Sequence, residues 1–180
     1  MSRLFAFLRA INVGARTVKM EDLRAHFESF GCSEVETYIA SGNVIFEWKK
    51  KKLDLDEFLS RSIEKTLGFE ATTFVRSTDE LAKILRYQPF SEEALKEAWV
   101  VNIGFLNTSP TAAMIDTMNT AVGPVHTFAA GEREIYWLQR IPTSDVKLPK
   151  DFFEKALGSK VTFRSTKSLS KLAAKYKVLS

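Results

Sequence analysis

A short loop near the amino terminus carries the groups best suited to binding an anion. It spans residues 10–19 and follows an apolar run of residues 4–8. Guanidinium and ammonium groups neutralise a phosphate or carboxylate, an amide can orient it, and a glycine lets main-chain N–H groups approach it. These groups predict a binding site made of Arg9, Asn12, Gly14, Arg16 and Lys19. The alternative is that Asn12 and Gly14 supply only turn geometry and that the basic side chains are solvated.

Signatures of catalysis are scarce by comparison. The two histidines, His26 and His126, have no metal-ligand spacing near them, and no P-loop, dinucleotide fingerprint or Ser-His-Asp order is present. Cys32 has no base close to it in sequence and is expected to be a semi-buried apolar residue. We therefore predict no metal and no cofactor, and the sequence leaves open whether the protein is an enzyme.

Composition narrows the class of protein. The chain has 180 residues, of which 45% are hydrophobic and 27% are charged, as is typical of a globular protein with a core. A net charge of +4 permits anionic partners without demanding them. The lone Cys32 excludes an internal disulfide and favours the reducing cytoplasm. The first apolar run ends at Arg9, too early for a secretory signal, and no run approaches the ~18 residues of a membrane span.

Hydrophobic periodicity predicts the elements that position the loop. Residues 4–8 are apolar on both alternating faces, which is typical of a central strand. The pattern then predicts a helix from 20 to 30, strands over 35–39 and 44–48 joined by Ser41, Gly42 and Asn43, a helix over 55–67, a strand over 71–76, and a helix from Ser77. Ser77 and Glu80 match the capping box of that helix, and residues 87–90 end it at Pro89.

The second half of the chain repeats this order. After a polar connection over 91–97, the pattern predicts a strand over 98–106, a helix opened by Ser109 and Pro110, strands over 125–129 and 134–138, a polar loop over 139–147, a helix over 151–157, a strand over 160–164 and a helix over 165–176. Arg76-Ser77-Thr78 is echoed by Arg164-Ser165-Thr166 at the equivalent place.

Together these elements predict an α+β fold. We expect a tandem duplication of two ferredoxin-like (βαββαβ) subdomains, each followed by an extra helix. The first subdomain would span residues 1–90 and the second 98–180, with 91–97 as the connection.

This topology predicts where the site lies. The first two strands of a split βαβ unit run parallel, so that their ends meet at one edge of the sheet. The 10–19 loop should therefore lie beside the hairpin residues Ser41, Gly42 and Asn43. Arg76 should lie at the other end of its sheet, and we keep Arg76 and Arg164 as secondary candidates.

Several motifs together resemble the DUF1697 family of small bacterial proteins. The matching segments are Leu8-Arg9-Ala10-Ile11-Asn12-Val13-Gly14 with Lys19-Met20-Glu21-Asp22-Leu23, residues 37–46, Val75-Arg76-Ser77 with Pro89-Phe90, and Thr162-Phe163-Arg164 with Lys171-Leu172. The resemblance implies tandem α+β subdomains and no established activity. The chain departs from the family pattern at Ala15, where a second glycine is usual, and at Ser165-Thr166, where an Asn-Trp pair is usual. Any family site near that pair would therefore differ here.

Three functional hypotheses follow. The first is a site for a small anion, such as a nucleotide, phosphate ester or carboxylate, at the edge formed by the 10–19 loop and the 41–43 hairpin. The second is binding of RNA or single-stranded nucleic acid, because residues 159–180 contain six lysines or arginines and no acid. It is less favoured, since Phe5, Phe7 and Trp99 are expected in the core and Lys167, Lys171 and Lys175 on a solvated helix face. The third is a non-catalytic interaction protein, and the oligomeric state is left open.

Overall fold

Two four-stranded antiparallel sheets and seven α-helices make up the described part of the chain. The computed structural model describes residues 3–12, 17–39, 42–49 and 54–179. It divides into two compact units, Met1–Leu81 and Ala82–Ser180. The division falls within the third helix, so residues 82–90, which we predicted in the first subdomain, belong to the second unit.

The first unit holds the sheet that carries the predicted site. Its elements are β1 (Arg3–Leu8), α1 (Met20–Ser29), β2 (Ser33–Tyr38), β3 (Asn43–Glu47), α2 (Leu55–Leu67), β4 (Thr73–Ser77) and the start of α3 (Thr78–Arg86). The strand order is β2-β3-β1-β4, and β1 pairs antiparallel with both of its neighbours. β1 is thus central, as its two apolar faces predicted.

Burial follows the two faces of β1. Ala6 and Leu8 belong to a core cluster with Phe27 of α1 and Leu59 of α2. The opposite face carries Phe5 and Phe7, which are 1% and 0% exposed. Both faces of this sheet are therefore covered.

Local capping fixes the helix starts in this unit. The Asp54 side chain accepts a hydrogen bond from the Glu57 N–H over 3.0 Å at the start of α2. At α3 the Ser77 hydroxyl accepts from the Glu80 N–H over 3.2 Å, and the Glu80 carboxylate accepts from the Ser77 N–H over 2.7 Å. This reciprocal pair confirms the capping box predicted from the sequence.

The second unit has the same strand arrangement. Its elements after α3 are α4 (Glu92–Lys96), β5 (Val100–Phe105), α5 (Ala112–Val122), β6 (His126–Ala130), β7 (Glu134–Gln139), a short 3₁₀ turn (Thr143–Asp145), α6 (Phe152–Leu157), β8 (Thr162–Ser165) and α7 (Thr166–Lys175). The strand order is β6-β7-β5-β8, which is the order of the first sheet with each strand number increased by four.

Two helix starts differ from the sequence prediction. The polar connection contains α4, because the Ser91 hydroxyl accepts from the Ala94 N–H over 3.2 Å and caps a helix too short to show an apolar stripe. α5 begins after Thr111 rather than at Ser109 and Pro110, since the Thr111 hydroxyl accepts from the Met114 N–H over 3.2 Å. In both cases the helix begins where a side-chain oxygen accepts a hydrogen bond from the main-chain N–H three residues later.

The core of the second unit is aromatic. The rings of Trp137 and Phe153 have centroids 5.0 Å apart, and those of Phe153 and Phe163 are 4.6 Å apart. Gly104 makes room for this cluster, because a Cβ there would lie 2.6 Å from Cε1 of Phe163.

Among the helices of the described segments, none has the length and apolar character needed to cross a bilayer.

Candidate functional site

The end of β1 meets the β2–β3 hairpin. The Leu8 N–H donates to the Gly42 carbonyl oxygen over 2.8 Å, and a Cβ built at Gly42 would lie 3.2 Å from Cβ of Ile11. The loop after β1 and the hairpin thus converge at one edge of the sheet. We refer to residues 9–12, 19, 39, 42 and 43 as the rim. Three predicted site residues, Gly14, Arg16 and Ser41, lie outside the described residues, as does Ala15.

The rim includes part of the predicted set and leaves out the secondary candidates. Phe7 pairs with Asn43 in the sheet, whereas Arg76 pairs with Phe5, further from the rim along β1. Arg164 lies on β8 of the second sheet. Arg76 therefore pairs with β1 two positions before the residue that pairs with Asn43 of the rim.

The polar side chains of the rim hold its loops in place. The Asn12 side-chain oxygen accepts from the Val18 N–H over 2.6 Å. The Asn43 amide nitrogen donates to the Tyr38 carbonyl oxygen over 3.0 Å, and Asn43 is 2% exposed. These two amides fix the main chain on either side of the edge.

Two basic residues supply positive charge. Lys19 is exposed and is the N-cap of α1, and its own side chain makes no capping hydrogen bond. Arg9 is half-buried, and its main-chain N–H donates to the Thr72 carbonyl oxygen over 2.8 Å. Glu21 and Asp22 follow in the first turn of α1 and offset part of this positive potential.

Left-handed backbone is concentrated at the rim. Five non-glycine residues in the described segments have a positive φ, and three of them are Ala10 at 62°, Asn12 at 57° and Ile39 at 51°. Gly42 adds a φ of 74°. Asparagine tolerates this region, but a β-branched residue such as Ile39 seldom adopts it. Such conformations cost about 1–3 kcal/mol each and tend to occur where a ligand is held.

The apolar residues of the rim differ in depth. Ile11 is 4% exposed and forms an apolar floor under Gly42, whereas Ile39 is 53% exposed at the hairpin. The rim thus combines a buried apolar residue beneath Gly42 with an exposed one at the hairpin.

The secondary candidates are equivalent to each other and buried. Nη1 of Arg76 donates to the Val75 carbonyl oxygen, and Nη1 of Arg164 donates to the Phe163 carbonyl oxygen, each over 2.8 Å. Arg76 is 1% exposed and Arg164 is 8% exposed. Burial lowers the pKa of Arg164 to about 10, which leaves it protonated at neutral pH. Both guanidinium groups are therefore buried, and each bonds the main chain of its own strand.

Sequence reasoning missed or misjudged several residues. Trp99, which we expected in the core, is 65% exposed. Apolar alternation does not show where along a strand the residues that pack over it come to an end. His126 is buried, and its Nδ1 accepts a hydrogen bond from Nε1 of Trp137 over 3.3 Å. Cys32 is buried in the core, as expected. No group of three potential metal ligands occurs among the described residues.

Comparison with known proteins identifies the family. The model of the family described as protein of unknown function (DUF1697) matches residues 1–136. The chain belongs to this family. The match includes the whole rim of this DUF1697 protein and ends within β7.

A solved structure has the same fold. A conserved bacterial protein from Streptococcus pneumoniae superposes on this DUF1697 protein with a TM-score of 0.70, covers 99% of each chain and is 20% identical in sequence. No curated protein matches the chain. The comparisons therefore supply the family and the fold of this DUF1697 protein.

Proposed function

We propose that the rim binds a small anionic ligand, such as a nucleotide, a phosphate ester or a carboxylate. The observation that carries this proposal is the concentration of left-handed backbone at Ala10, Asn12, Ile39 and Gly42, where two connections distant in sequence converge. Turns that combine right- and left-handed residues can form concavities of main-chain N–H groups that bind anions.

Each group at the rim has a role in this proposal. Lys19 and Arg9 neutralise the ligand, and N–H groups of the first turn of α1, which the Lys19 side chain does not cap, contact it. Asn12 and Asn43 position the two loops through the hydrogen bonds they already make. Gly14, Arg16 and Ser41, which lie outside the described residues, remain predicted members of the site from the sequence. The proposal is limited to binding, because guanidinium, ammonium and main-chain amide groups are the groups that bind anions.

Two features of the architecture are proposed in addition to the ligand site. We infer that each unit is a ferredoxin-like subdomain and that the chain arose by internal duplication. The orders β2-β3-β1-β4 and β6-β7-β5-β8 support both inferences. Equivalent details support the duplication further: Arg76 and Arg164 bond the preceding carbonyl in the same way, and Ser77 and Ser165 both cap the helix that follows.

The nucleic-acid alternative has less support. RNA-recognition modules stack bases on aromatic residues of an open sheet face. Phe5 and Phe7, the aromatic residues of central strand β1, are fully buried, and Lys167, Lys171 and Lys175 are exposed along one helix. We therefore prefer a small anion as the ligand.

Titration calorimetry at low salt with pyrophosphate, adenosine monophosphate and citrate tests the proposal. We expect at least one of these probes to bind saturably and Lys19→Ala or Arg9→Ala to weaken it by about tenfold to a hundredfold, since a charge-assisted contact contributes roughly 1.5–3 kcal/mol. Lys171→Ala is the matched control, because it removes one exposed positive charge from α7. Absence of saturable binding, or equal weakening by Lys171→Ala, would refute a site at the rim.

A further inference from the structure

A cavity lies within the second unit. It has a volume of about 160 Å³ and lies between the segment joining α3 to α4, the sheet and α7. We refer to it as the Tyr87 cavity. Its walls are formed by two groups of side chains. The first comes from the end of α3, the 87–90 segment and α4: Ile84, Leu85, Tyr87, Gln88, Pro89, Phe90 and Leu95. The second comes from β5, β7 and α7: Val101, Ile103, Tyr136, Thr166 and Ser170.

The floor of the cavity is rigid. Ile103 and Tyr136 are 1% and 3% exposed. The Tyr136 hydroxyl donates to the Ile84 carbonyl oxygen over 2.8 Å, which ties β7 to the end of α3. Burial raises the pKa of Tyr136, so that this hydroxyl stays protonated and keeps its bond. Packing and this hydrogen bond therefore hold the floor of the cavity in place.

An aromatic wall closes one side. The rings of Tyr87 and Tyr136 meet edge to face, with centroids 5.3 Å apart and an angle of 71°. Tyr87 is 50% exposed. A third ring placed beside it would bury this surface and gain the same edge or offset contacts.

The chemistry of the lining selects against charge. None of the lining side chains is charged, and most are apolar. The polar side-chain groups are the Gln88 amide and the hydroxyls of Tyr87, Tyr136, Thr166 and Ser170. Thr166 and Ser170 lie one turn apart on α7. Burying an ion here without a partner would be costly, whereas a neutral ligand could reach one of these groups.

The volume sets the size of the ligand. An apolar cavity of about 150 Å³ accommodates a benzene molecule. We propose that the Tyr87 cavity binds a neutral molecule with one aromatic ring and one hydrogen-bonding substituent. The ring lies against Tyr87 and Tyr136, and the substituent points toward Thr166 or Ser170. This site shares no residue with the rim, so it stands whether or not the rim binds an anion.

Titration with phenol, benzyl alcohol and benzoate, followed by amide chemical shifts, tests the proposal on the full-length protein. We expect saturable shifts centred on Tyr87, Thr166 and Ser170 for the two neutral probes. Benzoate, which has the same ring and a negative charge, should bind at least about tenfold more weakly. Absence of saturation, shifts centred elsewhere, or equal binding of benzoate would overturn the proposal.

Two substitutions on α7 provide a matched pair. Ser170→Phe fills the cavity and should abolish saturable binding, whereas Ala174→Phe places the same ring on an exposed position of the same helix outside the cavity and should leave binding intact. Thermal unfolding of both variants checks the fold. Tyr87→Ala, at an exposed position, gives a second test that does not depend on filling the cavity. It should weaken binding about threefold to tenfold, and unchanged affinity in both Ser170→Phe and Tyr87→Ala would refute the site.

Discussion

The side chain of Asp56, in α2, accepts a hydrogen bond from the main-chain N–H of Val75, in β4, over 2.7 Å. One turn later, the Ser60 hydroxyl accepts from the Thr73 N–H over 2.8 Å. β4 is an edge strand whose other side pairs with β1. Two side chains of α2 thus satisfy alternate N–H groups on the free side of β4. They protect an edge that could otherwise pair with another chain.

Loss of the Asp56 carboxylate should destabilise the protein. Asp56 is 5% exposed, and Asp56→Ala leaves the Val75 N–H without this acceptor. We expect the free energy of unfolding to fall by about 1–3 kcal/mol and aggregation to increase. Urea unfolding and light scattering measure the two effects. Glu57→Ala, which removes an exposed carboxylate from the next position, should change stability by less than about 0.5 kcal/mol. Similar losses for the two variants would argue against protection of the edge by Asp56.

Substitution of Gly42 should report on the contact between the hairpin and the loop after β1. Gly42 and Gly68 have nearly the same φ, 74° and 73°, but only at Gly42 would a new Cβ meet other atoms, the nearest being Cβ of Ile11 at 3.2 Å. Gly68→Ala should therefore cost about 1 kcal/mol, from the left-handed backbone alone. Gly42→Ala should cost more in the same chemical denaturation experiment. Equal costs would mean that the rim is less tightly packed than the structure indicates.

Substitution of Gly104 should strain the aromatic core. A Cβ there would lie 2.6 Å from Phe163 and 2.9 Å from both Ile135 and Val161, and all three belong to one packed cluster. We expect Gly104→Ala to destabilise the protein by about 1–3 kcal/mol in thermal unfolding. Phe163→Leu removes the nearest clashing atom, so the double variant should lose less stability than the two single changes added together. Simple additivity would contradict the clash.

His126 should make stability depend on pH. Burial lowers its pKa below the ordinary value of 6.5, and its Nδ1 accepts from Trp137 and so is unprotonated in the folded protein. Below about pH 6.5, His126 takes up a proton more readily in the unfolded chain than in the folded protein. The free energy of unfolding should therefore fall as the pH drops below about 6.5, by at most about 1.4 kcal/mol per pH unit from this group.

A pair of histidine variants isolates this effect. His126→Gln keeps an acceptor for Trp137 and removes the titration, so its stability should vary less between about pH 6.5 and 5 than that of the wild type. His26→Gln, at a half-buried position of α1, is the control and should keep the wild-type slope. If His126→Gln keeps the full slope as well, His126 is not the group responsible.

Local sequence determined the order of strands and helices. β1 is recognisable because residues 4–8 are apolar on both faces, and α3 because Ser77 and Glu80 cap it within one turn. α4 was missed, since its cap at Ser91 acts without an apolar stripe. The convergence of the loop after β1 with Gly42 also followed from topology, because the ends of β1 and β2 must meet at one edge.

Tertiary structure alone decided how individual side chains are used. Asn12 and Asn43 bond the main chain, Asp56 reaches β4, and Trp99 is exposed although its sequence neighbours are apolar. The Tyr87 cavity also depends on tertiary structure. It brings residues 87–90, which the sequence marked only as the end of a helix, next to residues of β5, β7 and α7. Periodicity and capping depend on residues within a few positions of one another, so the sequence determines them directly. Burial and hydrogen-bond partners depend on residues far apart in the chain, and only the packed fold brings these together.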